Sequence, residues 1–309
     1  MVKNFLKEIK KNEPLSKWSG YRTGGNADWF CEAKTRRDLL TVLGRAERDS
    51  VPAIVIGSGT NVLFPDAGIR GIVIKNSFSQ IRELGDGRIE LGSGTTVKEF
   101  SSYCIRRSLS GAEFLAGLPG TVGGAMAGNA GACGKSISEI IESASFFSKQ
   151  KGFFAMSAEE MPFSYRNGFP QKEDPETVSV SIIVRLNESN HAEIIAGMKK
   201  AMIPRVSGHP SPLKHTCGCF FKNPKAPDGS QISAGALLDR LGARGMNEGG
   251  AFVSDRHCNF IENRGGASSN DIIRLAERLK KLALEKEGII LSNEVRIIPE
   301  NPPFIPVQI

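Results

Sequence analysis

Five positions carry side chains able to hold an anion or move a proton. Arg166 lies in Ser164-Tyr165-Arg166-Asn167, shortly after the acidic pair Glu159-Glu160. A guanidinium stays charged at any working pH and can hold a carboxylate through two parallel bonds, although an isolated arginine is more often a surface residue. Cys217 and Cys219 flank Gly218, just ahead of Phe220-Phe221-Lys222-Asn223-Pro224. Two cysteines one residue apart lack the further ligands of a metal site, and a disulfide between them would be strained. A protonated thiol can give up a proton as a hydroxyl does, and more readily; burial as a small hydrophobe is the commoner state of each. Glu294, in Ser292-Asn293-Glu294-Val295-Arg296, is an ordinary exposed or Arg296-paired carboxylate unless it faces a cleft. There a raised pKa would let it act as an acid or donate to an anion. His257, in Ser254-Asp255-Arg256-His257-Cys258-Asn259-Phe260, could serve as a base, but a packed, hydrogen-bonded histidine is the more common case.

The stretch Gly117–Gly134, GLPGTVGGAMAGNAGACG, holds seven glycines and four alanines and no charge. Glycine costs backbone entropy and fills no core. Such a run is kept for tight turns or for close approach to something bulky, and bare N–H groups at close range suit a phosphate or the rim of a flat cofactor. Leu118, Val122 and Met126 interrupt it, unlike a Gly/Ser spacer. Ligand approach is therefore preferred over tight packing. Gly134-Lys135-Ser136 mimics a P-loop ending, but the glycine required at 129 is Asn129. Gly57-Ser58-Gly59-Thr60-Asn61 follows an apolar strand-like run in a common phosphate-cradle arrangement, yet Val62 replaces the third glycine of the dinucleotide fingerprint. A dinucleotide site of another design is expected.

The elements that must position these residues alternate. Helices are expected at 35–50, 96–109, 191–202 (ending before Pro204), 233–241 and 270–287, the last with Ile272, Leu275, Ala276, Leu279, Leu282 and Ala283 in helical spacing. Ser269 or Asn270 is its expected start cap and Gly288 its end. Strands are expected at 51–57, 71–74, 88–92, 143–148, 178–186 and 295–298, with 203–230 largely loop. This mixture argues for an α/β or α+β protein.

With 309 residues the chain has room for two or three lobes, and its charged and apolar fractions are those of a soluble protein. The net charge of +7 is scattered among few aromatics, which disfavours nucleic acid and suits a small anionic partner. No signal peptide is seen, and no run nears the roughly 20 apolar residues of a membrane helix. The six cysteines show neither disulfide-framework nor zinc spacing, so reduced thiols in the cytoplasm are expected and no metal.

In order and spacing, Tyr21-Arg22-Thr23-Gly24-Gly25, Gly57 to Leu63, Gly117 to Gly134, Tyr165-Arg166-Asn167, Cys217 to Pro224, Ser254 to Phe260 and Asn293-Glu294-Val295 together resemble the UDP-N-acetylenolpyruvoylglucosamine reductases, flavoenzymes of peptidoglycan precursor synthesis. The resemblance spans about residues 20–299. It implies an α+β protein: after an extension at 1–19, a two-lobed FAD-binding domain of the vanillyl-alcohol-oxidase type at 20–187 (lobes about 20–75 and 76–187), then a substrate-binding domain at 188–309. Gly57, Ser58, Gly59, Thr60 and Asn61, with Gly117, Pro119, Gly120, Gly123 and Gly124, would wrap FAD, and Arg22 and Ala130 would line it. NADPH would reduce FAD and leave. The enolpyruvyl ether of UDP-N-acetylglucosamine would then take the hydride at its terminal carbon and a proton at the adjacent carbon, giving UDP-N-acetylmuramate. Arg166 and Glu294, the latter protonated, would hold the charge developing on the carboxylate. Cys219 stands where many relatives have a proton-delivering serine. Tyr165, Arg205, Lys222 and Asn223 are candidate substrate contacts. The short interval from Arg166 to Cys219 resembles the family form that lacks the substrate-capping insertion. No nucleic acid or membrane is implied, and a monomer is compatible with all of this. The competing readings are another FAD oxidoreductase of the same fold and a flavin-free UDP-sugar binding protein.

Overall fold

A computed structural model describes residues 9–170, 177–211, 213–225 and 229–309. The chain runs through β1 (Lys10–Pro14), β2 (Asn26–Ala33), α1 (Arg36–Arg48), β3 (Ala53–Ile56), β4 (Val62–Leu63), β5 (Ile69–Asn76), β6 (Ile81–Gly85), β7 (Arg88–Gly92) and α2 (Val97–Arg106). It continues with β8 (Leu109–Ser110), α3 (Val122–Ala127), β9 (Gly131–Ala132), β10 (Lys135–Ser136), β11 (Ile141–Ser148), β12 (Gly152–Ser157), β13 (Val178–Arg185), β14 (Asn187–Glu188) and α4 (His191–Gly208). It ends with α5 (Ala234–Arg240), β15 (Asn247–Glu248), β16 (Ala251–Val253), β17 (Ile261–Asn263), α6 (Ser269–Glu287) and β18 (Arg296–Ile297).

The chain divides into two compact units, one of residues 1–11, 29–58 and 71–205, the other of 12–28, 59–70 and 206–309. This division differs from the sequence boundaries: it puts residues 12–28 and 59–70 with the C-terminal part. Much of the expected 1–19 extension is ordered, as β1 and a 3-10 turn at Leu15–Trp18, while residues 1–8 lie outside the described part.

In the first unit a five-stranded antiparallel sheet has the order β12-β11-β13-β7-β6. Val97, Phe100 and Cys104 of α2 and Val122 and Met126 of α3 share its core with Leu91, Ile182 and Val184. β3 pairs in parallel with β5, Ala53 opposite Ile72, in a four-stranded sheet ordered β1-β2-β5-β3. The α1 residues Leu39, Val42 and Leu43 pack with Ile72 and Ile74. Capping boxes at Thr35 and Thr96 start α1 and α2 by satisfying otherwise orphaned first-turn amides.

In the second unit β15, β16 and β17 form a small antiparallel sheet under α6, whose Ile272, Leu275, Ala276 and Leu279 are buried with Leu237, Leu238 and Phe220. The short β18 pairs in parallel with β4, Arg296 opposite Val62.

Three local expectations change. The run 117–134 is not all loop: Thr121 accepts from the Gly124 amide and starts α3 where glycine propensity argues against a helix. Helix α4 does not stop before Pro204 but carries it inside and runs to Gly208. Proline removes one helical bond, that to the carbonyl four residues before it, yet the helix continues, and its last-turn carbonyls, which have no partner within the helix, are met by Arg256, whose Nη2 donates to Ser207 O at 2.8 Å and Val206 O at 3.4 Å. The cap of α6 is Ser268, not Ser269 or Asn270, because Ser268 and Asp271 form the reciprocal box. The amides of Ser269 and Asn270 donate instead to the Asp66 carboxylate, at 2.7 and 3.0 Å.

Candidate active site

In the first unit, Arg166 sits in a tight turn closed by paired backbone bonds between Ser164 and Asn167, at 2.9 and 3.0 Å. Its φ is +51°, a left-handed conformation unusual for a non-glycine residue. The turn packs on the glycine run. Asn129 Nδ2 donates to Ser164 O at 3.0 Å, Gly168 N to Ala127 O at 3.2 Å, and Arg166 Nη2 to Gly131 O at 3.1 Å. A Cβ on Gly168 would stand 1.7 Å from the Met126 carbonyl oxygen. Two motifs separate in sequence are thus one feature, and the absence of a side chain at Gly168 lets the arginine turn come close to α3. The Tyr165 ring lies 5.5 Å from the Arg166 guanidinium carbon, and the tyrosine is half exposed. Arg205 lies beside the glycine run too: a Cβ on Gly117 would meet Arg205 Cδ and Met202 Cγ at 3.4 Å.

The glycines answer to close packing more than the sequence suggests. A Cβ on Gly57 would be 2.5 Å from Thr121 Oγ1, and one on Gly123 would be 2.7 Å from Ser93 O. A Cβ on Gly59, at φ +67°, would overlap the Trp18 carbonyl oxygen at 1.8 Å. At Gly59 and Gly123 the chain's own backbone suffices to demand glycine, and at Gly57 the Thr121 side chain does. Gly117 and Gly120 hold φ of +74° and +116° in exposed or half-buried backbone, as do Pro119 and Gly124 without the positive φ. Ala130 N donates to Ala125 O at 2.8 Å and ties the loop after α3 back to the helix.

In the second unit the chemistry-bearing residues come onto neighbouring extended segments. Phe221 bridges Asn293, and Cys219 bridges Phe260, both antiparallel. The Glu294 amide donates to Phe220 O at 2.7 Å, and Lys222 N to Ser292 O at 2.9 Å. The segment 219–222 therefore runs between 258–260 and 292–295, and Cys219 and Glu294 share one small scaffold. Both are half-buried. Asn223 Oδ1 accepts from Ala234 N at 3.0 Å, at the start of α5. Asn61 Nδ2 donates to the Glu294 carbonyl at 3.2 Å, and Asn61 O accepts from Arg296 N at 3.1 Å. Arg22 is exposed at φ +58°, its Nη1 donating to Lys17 O at 3.0 Å. Ser58 is exposed and Thr60 half-buried.

Cys217 is structural. It is buried, its thiol donates toward Gly59 O and Val62 O at 3.7 and 3.5 Å, and burial pushes its pKa up to about 12. His257 is packed: a Cβ on Gly235 would be 2.4 Å from its Cε1, its Nδ1 accepts from Asn259 N at 3.2 Å, and burial lowers its pKa. The packed histidine, not a poised base, is what this geometry describes. Burial also brings the Arg296 guanidinium down to about 10, still positive at neutral pH.

Sequence reasoning gave no role to Asn259. Its side chain reads both polar groups of Phe221, accepting from N at 2.9 Å and donating to O at 2.8 Å, at 2% exposure. Its neighbours Asp255, Arg256 and His257 are polar or charged, so no local pattern marks it out. Tyr21 Oη, Thr216 Oγ1 and Asn293 Oδ1 are buried without a hydrogen-bond partner in the same unit. Such orphans are rare unless water or a ligand meets them.

Residues 210–298 match the UDP-N-acetylenolpyruvoylglucosamine reductase C-terminal domain, and residues 27–152 match an FAD binding domain. The UDP-N-acetylenolpyruvoylglucosamine reductase of Clostridioides difficile is 34% identical over 95% of this chain and 94% of its own. The chain belongs to the UDP-N-acetylenolpyruvoylglucosamine reductase family. The reductase of Chlamydia muridarum is 33% identical over 98% of both chains. The crystal structure of the reductase from Thermus caldophilus superposes with a TM-score of 0.79 at 30% identity, over 94% of this chain and 98% of that one. Like the rest of the reductase family, this chain is an FAD-dependent oxidoreductase, built from an FAD-binding domain and the family's C-terminal domain. Among the described residues no helix is long and apolar enough to cross a membrane, and no cluster of three acidic, His or Cys side chains could hold a metal.

Proposed function

We propose that the protein reduces the enolpyruvyl ether of UDP-N-acetylglucosamine to UDP-N-acetylmuramate, with Arg166, Cys219 and Glu294 as the residues acting on the substrate. The observation that carries the residue assignment is the bond from the Glu294 amide to Phe220 O, which sets Glu294 beside the segment bearing Cys219. Bound FAD supplies the relay by which hydride from NADPH reaches the terminal carbon of the enolpyruvyl group.

The residues present fit that cofactor. Neither Gly57–Leu63 nor Gly117–Gly134 holds an acidic side chain, so nothing there repels a pyrophosphate. The bare backbone at Gly57, Gly59, Gly117, Gly120, Gly123 and Gly124, the Ser58 and Thr60 hydroxyls, and Asn61, Arg22, Pro119 and Ala130 would hold it. Hydride addition drives negative charge onto the α-carbon and its carboxylate. Groups aimed at developing charge are a large part of catalysis. Arg166 holds that carboxylate electrostatically, Glu294 in its protonated form donates to it, and the Cys219 thiol gives its proton to the α-carbon. Arg205 and Lys222 face the diphosphate, and Tyr165 and Asn223 the sugar-nucleotide. In this reading residues 20–187 form the cofactor domain and 188–309 the substrate domain. The protein works in the cytoplasm as a monomer, without nucleic acid or membrane, in supply of cell-wall precursors and so of cell shape and division.

The test is the visible spectrum of the purified protein. A flavin spectrum that bleaches under anaerobic NADPH and recovers on adding the enolpyruvyl ether is expected. A bleach without recovery would point to another substrate; a colourless protein that FAD cannot reconstitute would leave a UDP-sugar binding protein.

A further inference from the structure

We propose that the segment 299–309, which lies beyond the residues matched by the family's C-terminal domain, is a strap that positions Glu294, with Gln308 as its gripping residue. The segment returns to the strand it has just left. Val307 N donates to Ile297 O at 2.9 Å, and the two residues form an antiparallel bridge. Glu300 O accepts from Arg70 N at 3.0 Å, and Ile309 packs on the apolar core of the unit. Between these anchors the strap holds Asn293 twice: Gln308 Oε1 accepts from the Asn293 amide at 3.0 Å, and Val307 O accepts from Asn293 Nδ2 at 3.1 Å.

Asn293 is 1% exposed and directly precedes Glu294. On its other side it bridges Phe221, and Glu294 itself is tied to Phe220 O. The segment 292–295 is therefore clamped between the Cys219-bearing segment and the strap. Without the strap, the Asn293 amide and side-chain donors would lose their acceptors and only one edge of that segment would be held. A donor group must stand within a few tenths of an ångström of developing charge to stabilise it. The side chain of Gln308 is exposed and does not act on the substrate; it acts through Asn293.

This inference rests on the reading of Glu294 as a substrate-carboxylate holder. The test compares Gln308→Met, which keeps length but loses the acceptor oxygen, with Gln308→Glu, which keeps one. Stopped-flow on the FAD-loaded enzyme follows flavin reduction by NADPH and reoxidation by the enolpyruvyl ether. Expected is a reoxidation rate lowered about threefold to tenfold in Gln308→Met, as for one lost hydrogen bond, with NADPH reduction unchanged and most of the loss recovered in Gln308→Glu. Wild-type reoxidation in Gln308→Met, or equal loss in both variants, overturns the proposal. If the wild-type flavin is not reoxidised by this substrate, the functional reading fails instead. The strap is then judged by amide hydrogen exchange: faster exchange at Asn293 and Glu294 in Gln308→Met supports it, and unchanged exchange overturns it.

Discussion

Asn61 and Glu294, 233 positions apart, are joined by a hydrogen bond from Asn61 Nδ2 to the Glu294 carbonyl at 3.2 Å. The Asn61 carbonyl takes the Arg296 amide as well, so one residue holds the backbone at Glu294 and again two residues on. A residue that sequence reasoning assigns to the cofactor loop therefore also fixes the residue assigned to the substrate carboxylate.

The consequence can be measured with Asn61→Asp, which keeps shape but replaces the donor by an acceptor facing a carbonyl. Flavin reoxidation by the enolpyruvyl ether should slow at least threefold to tenfold, on the scale of one net hydrogen bond. FAD content, read from the absorbance ratio of the purified variant, separates loss of cofactor from loss of Glu294 placement. A variant with full flavin and wild-type reoxidation would show that this bond does not position Glu294.

Cys219 is the residue whose substitution divides the two half-reactions. General acid catalysis contributes on the order of a hundredfold or more. Cys219→Ala should lose at least about a hundredfold in flavin reoxidation while reduction by NADPH persists, and Cys219→Ser should keep substantial activity because the hydroxyl can still deliver a proton. Unimpaired reoxidation in the alanine variant would remove Cys219 from the mechanism.

Asn223 has two roles to separate. Its Oδ1 accepts the Ala234 amide at the start of α5, as a cap does. Asn223→Ala should therefore cost about 1 kcal/mol of stability and lose affinity for the UDP-substrate with flavin intact. Asn223→Asp keeps the acceptor, so its denaturation midpoint should stay near wild type while affinity for the anionic substrate falls. Equal affinity in all three proteins would leave Asn223 as a helix-capping residue alone.

Local patterns made most of the helices legible, and at Gly288 the end of α6, because apolar periodicity and a left-handed cap act over three or four residues. The same kind of reasoning erred at α3, where glycine propensity hid a helix whose Gly123 lies too close to Ser93 O for a Cβ, at α4, which carries Pro204 inside and ends with Arg256 donating to Ser207 O from 49 residues away, and at the start of α6, where the cap is Ser268. The site residues themselves were legible only as a set, because Arg166, Cys219 and Glu294 each look ordinary alone. Asn259, Asn61 and Gln308 act by reaching backbone far along the chain, and nothing in their local sequence declares such a partner.

His257 links the scaffold to pH. Burial lowers its pKa, and its Nδ1 must be unprotonated to accept the Asn259 amide at 3.2 Å, the residue that in turn clamps Phe221. Arg244 also disfavours its proton, Asp239 favours it, and the rings of His209 and Phe260 lie 5.4 and 5.0 Å away. The unfolded chain takes up the proton near its ordinary value of 6.5, while the folded chain resists it until lower pH. Between those two values the unfolded state binds more protons, so stability rises with pH there and is lost as pH falls below about 6.5. Wild-type protein should therefore show a melting temperature that drops between pH 7 and pH 5.5, above the range where most carboxylates titrate. His257→Asn, whose Oδ1 can take the place of the acceptor nitrogen without titrating, should lose less over the same interval. A parallel fall in both proteins would mean that His257 does not carry the acid sensitivity of this scaffold.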